Sequence, residues 1–123
     1  MTDGALAPIT VDWPSDPSYR SVGRLVLGGV AARLDVAVDR IDELGLALDN
    51  LARVHVPEGR LPLRVVVEDI ALHATVGPFS SNPVSDPAVL RIVERLVDGV
   101  GSSEDAAGHR VSLTLTRGTA AAA

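Results

Sequence analysis

The chain has 123 residues, 46% of them hydrophobic, and a net charge of -5. That is the length of one domain with a real core, which excludes wholesale disorder, and the acidic balance argues against a nucleic-acid binder. There is no cysteine, and all 11 basic Lys-or-Arg positions are arginine, so disulfides, thiolate chemistry and lysine-dependent mechanisms are excluded.

No apolar run approaches the roughly 20 residues of a membrane span. The N-terminal stretch MTDGALAPIT lacks the basic start and apolar core of a secretion signal, so a cytoplasmic location without membrane contact is expected. Residues 8–12, PITVD, alternate and predict a short strand ended by Trp13-Pro14. The next segment, SDPSYRSVGRLVLGGVAARL, predicts a first helix. Ser15 or Asp16 is its expected cap, Pro17 suits its first turn, and Val22, Leu25, Val26, Val30 and Leu34 form its expected apolar face. Gly28-Gly29 weakens it by about 1 kcal/mol per glycine, and close approach of another backbone is the expected reason.

Val36 to Val56 is the stretch around which the chain is organised. Ile41, Leu44, Leu48, Leu51 and Ala52 fall at helical spacing on one face. Asp42, Glu43, Asp49 and Asn50 lie largely off that stripe, a polar face that is either solvated or the floor of a site. Pro57 and Gly59 end the helix. Leu61–Val67 and Ile70–Val76 flank Glu68-Asp69 and predict an antiparallel hairpin, with Leu63, Val65 and Val67 on one face. Residues 77–86, GPFSSNPVSD, read as a loop. Asp86-Pro87 opens a third helix expected to run to Val100. GSSEDAAGH is a second loop, and Arg110–Thr116 alternates as a last strand with Val111, Leu113 and Leu115 inward. The order β-α-α-β-β-loop-α-β favours an α+β, two-layer α/β sandwich with a mixed, mostly antiparallel sheet and helices on one face.

That order and these segments resemble the anti-sigma-factor serine/threonine kinases, a branch of the histidine kinase/Hsp90-like ATPase fold. YRSVGRLVLGGVAARLDVAVDRIDELGLALDNL resembles the family's first helix, its break and the helix carrying the N box. PAVLRIVERLVDGV resembles the helix after the nucleotide lid, with Leu96, Val97 and Asp98 as its Leu-Val-Asp stretch, and GHRVSLTLTR resembles the closing strand. The resemblance implies an ATPase-type domain over residues 8–117, a flexible N-terminus at 1–7 and a disordered tail at 118–123.

The resemblance also implies where ATP and Mg²⁺ would sit. The family's N box has a glutamate and, four residues on, an asparagine. Both face the phosphates, one orienting the attacking hydroxyl and one ligating the metal. Here Asn50 stands at the glutamate position and Val54 at the asparagine position. Asn50 cannot accept a proton as a carboxylate does, and Val54 cannot ligate a hard cation. In another register Asn50 is the metal ligand, but four residues before it stands Leu46. Glu43 is about 10 Å back along the helix. The family's Asp-x-Gly-x-Gly is reduced to Gly77 and Phe79. The lid glycines are replaced by SSNPVSDPAV, whose prolines lack the N–H groups of a phosphate cradle.

Asn50, Glu43 and Gly77 are thus the only candidate nucleotide-binding residues, with no catalytic residue and no metal site assigned. The leading expectation is a non-catalytic interaction module, without cofactor, that binds a protein partner such as a sigma factor or its antagonist. Its surface would lie on the first helix around Arg20, Arg24 and Arg33. The alternative is an ATP- and Mg-dependent serine/threonine kinase using Glu43 or Asn50. A third reading is a structural homodimer joined through exposed valine-rich strand edges. His55, His73 and His109 have no ligand spacing. Ser80, Ser81 and Ser85 have no histidine nearby in sequence and read as loop hydroxyls. Asp69 and His73, four apart, would share a strand face.

Overall fold

Alternating apolar and polar residues give a strand one face to bury and one to leave wet. In the computed structural model, which describes residues 8–13, 17–54 and 61–116, five strands, all but the last-placed β4 patterned in this way, make one sheet in the order β1-β2-β3-β5-β4. They are β1 (Ile9–Trp13), β2 (Leu61–Glu68), β3 (Ala71–Phe79), β4 (Gly99–Asp105) and β5 (Gly108–Thr116). Every pairing is antiparallel. Three helices, α1 (Arg20–Leu34), α2 (Val38–Val54) and α3 (Pro87–Leu96), cover one face. The α+β two-layer sandwich is therefore as expected, with an entirely antiparallel sheet. The expected flexible N-terminus, disordered tail and Ser15 or Asp16 cap lie outside the described residues.

The core is a single cluster. Leu61, Leu63, Val65 and Val67 of β2, Leu72, Ala74 and Val76 of β3, and Val111, Leu113 and Leu115 of β5 turn to the helices. From α2, Ile41, Leu44, Leu48, Leu51 and Ala52 meet them, as the helical spacing predicts. Trp13, the single tryptophan, closes the end of β1 and is fully buried. The hairpin of β2 and β3 has the expected register, with Leu63 opposite Val76 and Glu68 opposite Ala71. Its turn is made by Asp69, at φ 52°, and exposed Ile70.

Five expectations are corrected. The buried stripe of α1 is Leu27, Val30, Ala31 and Leu34, while Val22 and Leu25 point outward, Leu25 being 77% exposed. At 100° per residue Leu25 lies opposite Leu27, Val30 and Ala31, and only one side of α1 meets the core. Gly28 and Gly29 approach no other backbone, since a Cβ at either position would meet nothing within 4 Å. The close approach between α1 and α2 is instead at Gly45, where a Cβ would lie 3.2 Å from Arg24 Nε and 3.3 Å from Leu27 Cδ1.

The third helix stops at Leu96, four residues early, and GSSEDAAGH is mostly strand. Val97 is already extended, and its N–H donates to Val93 O. β4 then pairs with β5 from Gly99–Thr114 to Asp105–Gly108. β4 is an edge strand exposed over most of its length, so burial imposes no alternation on its sequence. Finally, the valine-rich strand β2 is interior. The edges are β1 and β4, so the proposed valine-rich edges for dimerisation do not exist.

Asp98, in the Leu-Val-Asp stretch, is a clasp between the α3–β4 link and β5. Its N–H donates to Thr114 O at 2.8 Å, and its carboxylate accepts from Thr116 N at 2.6 Å and Thr116 Oγ1 at 3.1 Å. The backbone hydrogen bond from Thr116 is the largest influence holding this carboxyl below the usual range. A depressed folded-state pKa gives stability that is present above the unfolded value, near 3.9, and is lost as pH falls through the folded value. Urea unfolding followed by Trp13 fluorescence should show Asp98→Asn less stable than the parent at pH 7, the gap staying constant to about pH 5 and shrinking below about pH 4.

Two glycine substitutions should move stability in opposite directions. Gly28→Ala, exposed and unobstructed in α1, should stabilise by about 0.5–1 kcal/mol. Gly77→Ala should destabilise by more than that, because Gly77 has φ +134° and its Cβ would meet His109 O at 2.7 Å. Thermal melts of the two variants would check both signs.

Candidate functional site

The helix α2 presents Asn50 and Glu43 away from the sheet, and each is engaged locally. Asn50 Nδ2 donates to Leu46 O, one turn back, at 2.8 Å. Glu43 Oε1 lies 3.1 Å from Arg40 Nη2. Both contacts belong to the helix itself, at (i, i+4) and (i, i+3) spacing. Asp49, expected to lie largely off the buried stripe, is 9% exposed and turns toward α1, with Arg24 Nη2 3.5 Å from Asp49 Oδ2. This partly buried pair ties α1 to α2 near the Gly45 crossing. The side chain of Val54, at the family's asparagine position, lies outside what the structure describes.

Gly77 is not brought to Asn50 and Glu43. It lies in β3, where the register slips between Val76 and Phe79, and it borders a hollow on the face of the sheet without helices. Its lack of a side chain serves the pairing of β3 with β5. Gly108 faces the same constraint from the other strand, since a Cβ there would meet Phe79 O at 2.6 Å. The spacing of Gly77 and Phe79 in the sequence carried no sign of this, because the neighbouring residues of β5 are some thirty positions away.

The segment between β3 and α3 is ordered by local contacts. It forms a short 3₁₀ turn, Pro83–Ser85, with Pro83 buried. Asn82 organises it: Oδ1 accepts from Val84 N at 3.1 Å, and its carbonyl accepts from Ser85 N at 3.1 Å and Ser85 Oγ at 2.7 Å. Asp86 then caps α3, its Oδ1 accepting from Ala88 N at 2.9 Å, with Pro87 in the first turn. Leu90 N donates to Asp86 O at 3.0 Å.

The N-terminus of a helix attracts anions through unpaired N–H groups and the positive end of its dipole. At α3 that position is held by the protein's own carboxylate. Beside it, α2 and α3 pack on each other, and the 3₁₀ turn touches both. An amide bonded within its own helix at position 50 and a self-capped α3 do not fit a Mg-triphosphate group. Position 50 carries an amide and not a carboxylate, and Ala88 N at the start of α3 is already taken by Asp86.

Of the described histidines, His73 Nε2 lies 3.7 Å from Glu68 Oε1 and His109 Nε2 lies 3.5 Å from Glu104 Oε2, both half-buried. His55 lies outside the described residues. Asp69 sits in the turn and not on the strand with His73. Among the described residues there is no group of three metal-ligating side chains, and no helix is long and apolar enough to cross a membrane.

An open groove lies on the helical layer. A groove of about 320 Å³ runs between α1 and the start of α2, over Leu27, Ala31, Val36 and Ile41, with Arg24 and Asp42 at its margins. Beyond it Tyr19, Val22 and Leu25 stand exposed, with Val38 and Leu46 on α2. The sequence reading missed this surface because it assigned Val22 and Leu25 to the core. Counting angles from the strongest stripe, Leu27-Val30-Ala31-Leu34, would have found it. Arg33 lies exposed in the last turn of α1, Arg24 is committed to Asp49, and the side chain of Arg20 is outside the described set.

Because the Asp86 cap is exposed and local, Asp86→Ala should cost about 1 kcal/mol of stability, within the usual 0.5–2 kcal/mol range for an N-cap. Denaturant midpoints for the two proteins at pH 7 would measure it.

No protein-family model matches the chain, and no curated protein does. Among solved structures it is similar to the RsbU and RsbW domains of Rv1364c from Mycobacterium tuberculosis, with a TM-score of 0.67 and 15% identity. The similarity covers 90% of this chain and 32% of that one, so this chain spans about a third of that structure's length. At this identity the likeness shows a shared fold.

Proposed function

We propose that this chain is a non-catalytic regulatory module of the anti-sigma-factor kinase fold, which binds a protein partner such as a sigma factor or its antagonist and does so without nucleotide. The observation that carries this reading is the self-capped N-terminus of α3, where Asp86 occupies the place an incoming phosphate would need. A carboxylate there both satisfies the N–H donor and repels a second anion. Asn50, bonded within α2 in place of a glutamate, supports it. The similarity to an RsbW-containing structure supports the regulatory setting, RsbW being an anti-sigma-factor kinase.

The partner docks on the outward side of α1. Tyr19, Val22 and Leu25 and the neighbouring α1–α2 groove form an apolar surface with Arg33 at the end of the same helix. Exposed apolar clusters of this kind, bordered by charge, are characteristic of protein interfaces. Phosphoryl transfer plays no part; recognition is by surface complementarity.

Two measurements separate this from an active kinase. Calorimetry with ATP, with and without Mg²⁺, should be silent to about 1 mM, the level of a binding energy near -4 kcal/mol. Mg-dependent micromolar binding would make the kinase alternative lead, with Asn50 and Glu43 the first variants. Leu25→Asp should abolish co-purification of the sigma factor or antagonist with an unchanged melting curve, since Leu25 is outside the core. Retained capture would remove α1 as the docking face.

A further inference from the structure

The uncovered face of the sheet carries a second hollow, of about 300 Å³, lined by Thr10, Arg64, Thr75, Gly77, Pro78 and Arg110. These residues come from four successive strands, β1, β2, β3 and β5. Thr10 pairs with Arg64, and Arg64 with Thr75, so these three stand in one row across the sheet. Arg110 reaches the hollow from the far side of β3. At Gly77 no side chain separates the two strands, and Arg110 Cα and Cγ lie 3.2 Å from where a Cβ would be.

The lining thus holds two guanidinium groups, two hydroxyls and no carboxylate, in a protein of net charge -5. Arg64 is exposed and has no ion-pair partner among the described residues. Arg110 is paired with Asp105, an exposed carboxylate at the β4–β5 turn that also accepts from Ala107 N at 2.9 Å. Asp12 is exposed on β1 one row away, opposite Pro62.

We infer that this hollow is a binding site for a phosphate-class oxyanion, free or as a small phosphate monoester. A guanidinium presents paired N–H donors that match tetrahedral oxyanions, and charge-assisted bonds of this type are about twice as strong as neutral ones. Arg64 and Arg110 supply the charge from opposite sides of β3, and the threonine hydroxyls complete the donor set. The bare backbone at Gly77 leaves the floor open. The volume is at the small end for ligand sites, which suits a phosphate and a short attached group. This site is on the opposite side of the sheet from the helices and is independent of the proposed partner surface on α1.

The experiment is a ¹H–¹⁵N NMR titration of the full chain at constant ionic strength, with inorganic phosphate, O-phosphoserine and, as control, sodium chloride. Saturable shifts at the Thr10, Thr75, Gly77 and Arg110 amides with either phosphate compound, absent with chloride, are expected. Tighter binding of O-phosphoserine than of phosphate assigns a monoester ligand; the reverse assigns the free anion. Arg64→Gln should weaken binding about tenfold with an unchanged thermal melt, because one charge-assisted contact is removed. Asp105→Asn, which frees Arg110 but can still accept from Ala107, should tighten it. Absence of saturation at roughly 20 mM, beyond the millimolar range of weak sites, would overturn the assignment. So would equal response to chloride, or an Arg64→Gln variant that binds like the parent.

Discussion

Leu44, Ala47, Leu48 and Leu51 of α2 have no exposed surface and share one cluster with the inward rows of β2, β3 and β5. Five antiparallel strands with one apolar face cannot stand in water alone. Each fully buried leucine contributes about 1.5–3 kcal/mol, and truncation of one to alanine costs about 2–5 kcal/mol once the cavity is included. The other elements take their places from this contact. α1 crosses α2 at Gly45, α3 packs on α2 beside it, and Asp98 fastens the exit from α3 to the end of β5. Both candidate surfaces lie outside the packed layer, one on the outward side of α1 and one on the uncovered sheet face.

Strongly patterned elements were legible in the sequence. The α2 stripe, the β2–β3 hairpin and the inward face of β5 each carry a period that burial enforces. Legibility fails where burial stops enforcing a period. β4 is an exposed edge, so GVGSSED has no alternation to read. α1 is apolar on both sides, and its inner stripe could be told from its outer one only by angle. The close approaches of Gly77 to His109 and of Gly108 to Phe79 were invisible because they join residues distant in sequence across a register slip.

The candidate site was legible in part for a different reason. That position 50 holds an asparagine can be read from the chain alone, whereas what that side chain and its neighbours bond to cannot. Asn50 turning back on Leu46 O, Asp49 turning inward to Arg24 and Asp86 closing α3 are hydrogen-bonding choices made by geometry. Together they are polar groups satisfied by contacts within the fold. The positive hollow of Arg64 and Arg110 depends likewise on strand order, since β5 lies beside β3 and brings position 110 near position 64.

The polar character of β4 has one more consequence. An edge strand offers unpaired N–H and C=O groups to any passing chain, and proteins blunt such edges with charge. Here the outer strand ends in Glu104-Asp105. A second copy adding parallel to β4 would set the acidic ends side by side, and one adding antiparallel would find little apolar surface to bury. The sheet is thereby terminated on this side, insulated against fibre-like growth, and encounters with other molecules are left to side-chain surfaces in place of backbone pairing.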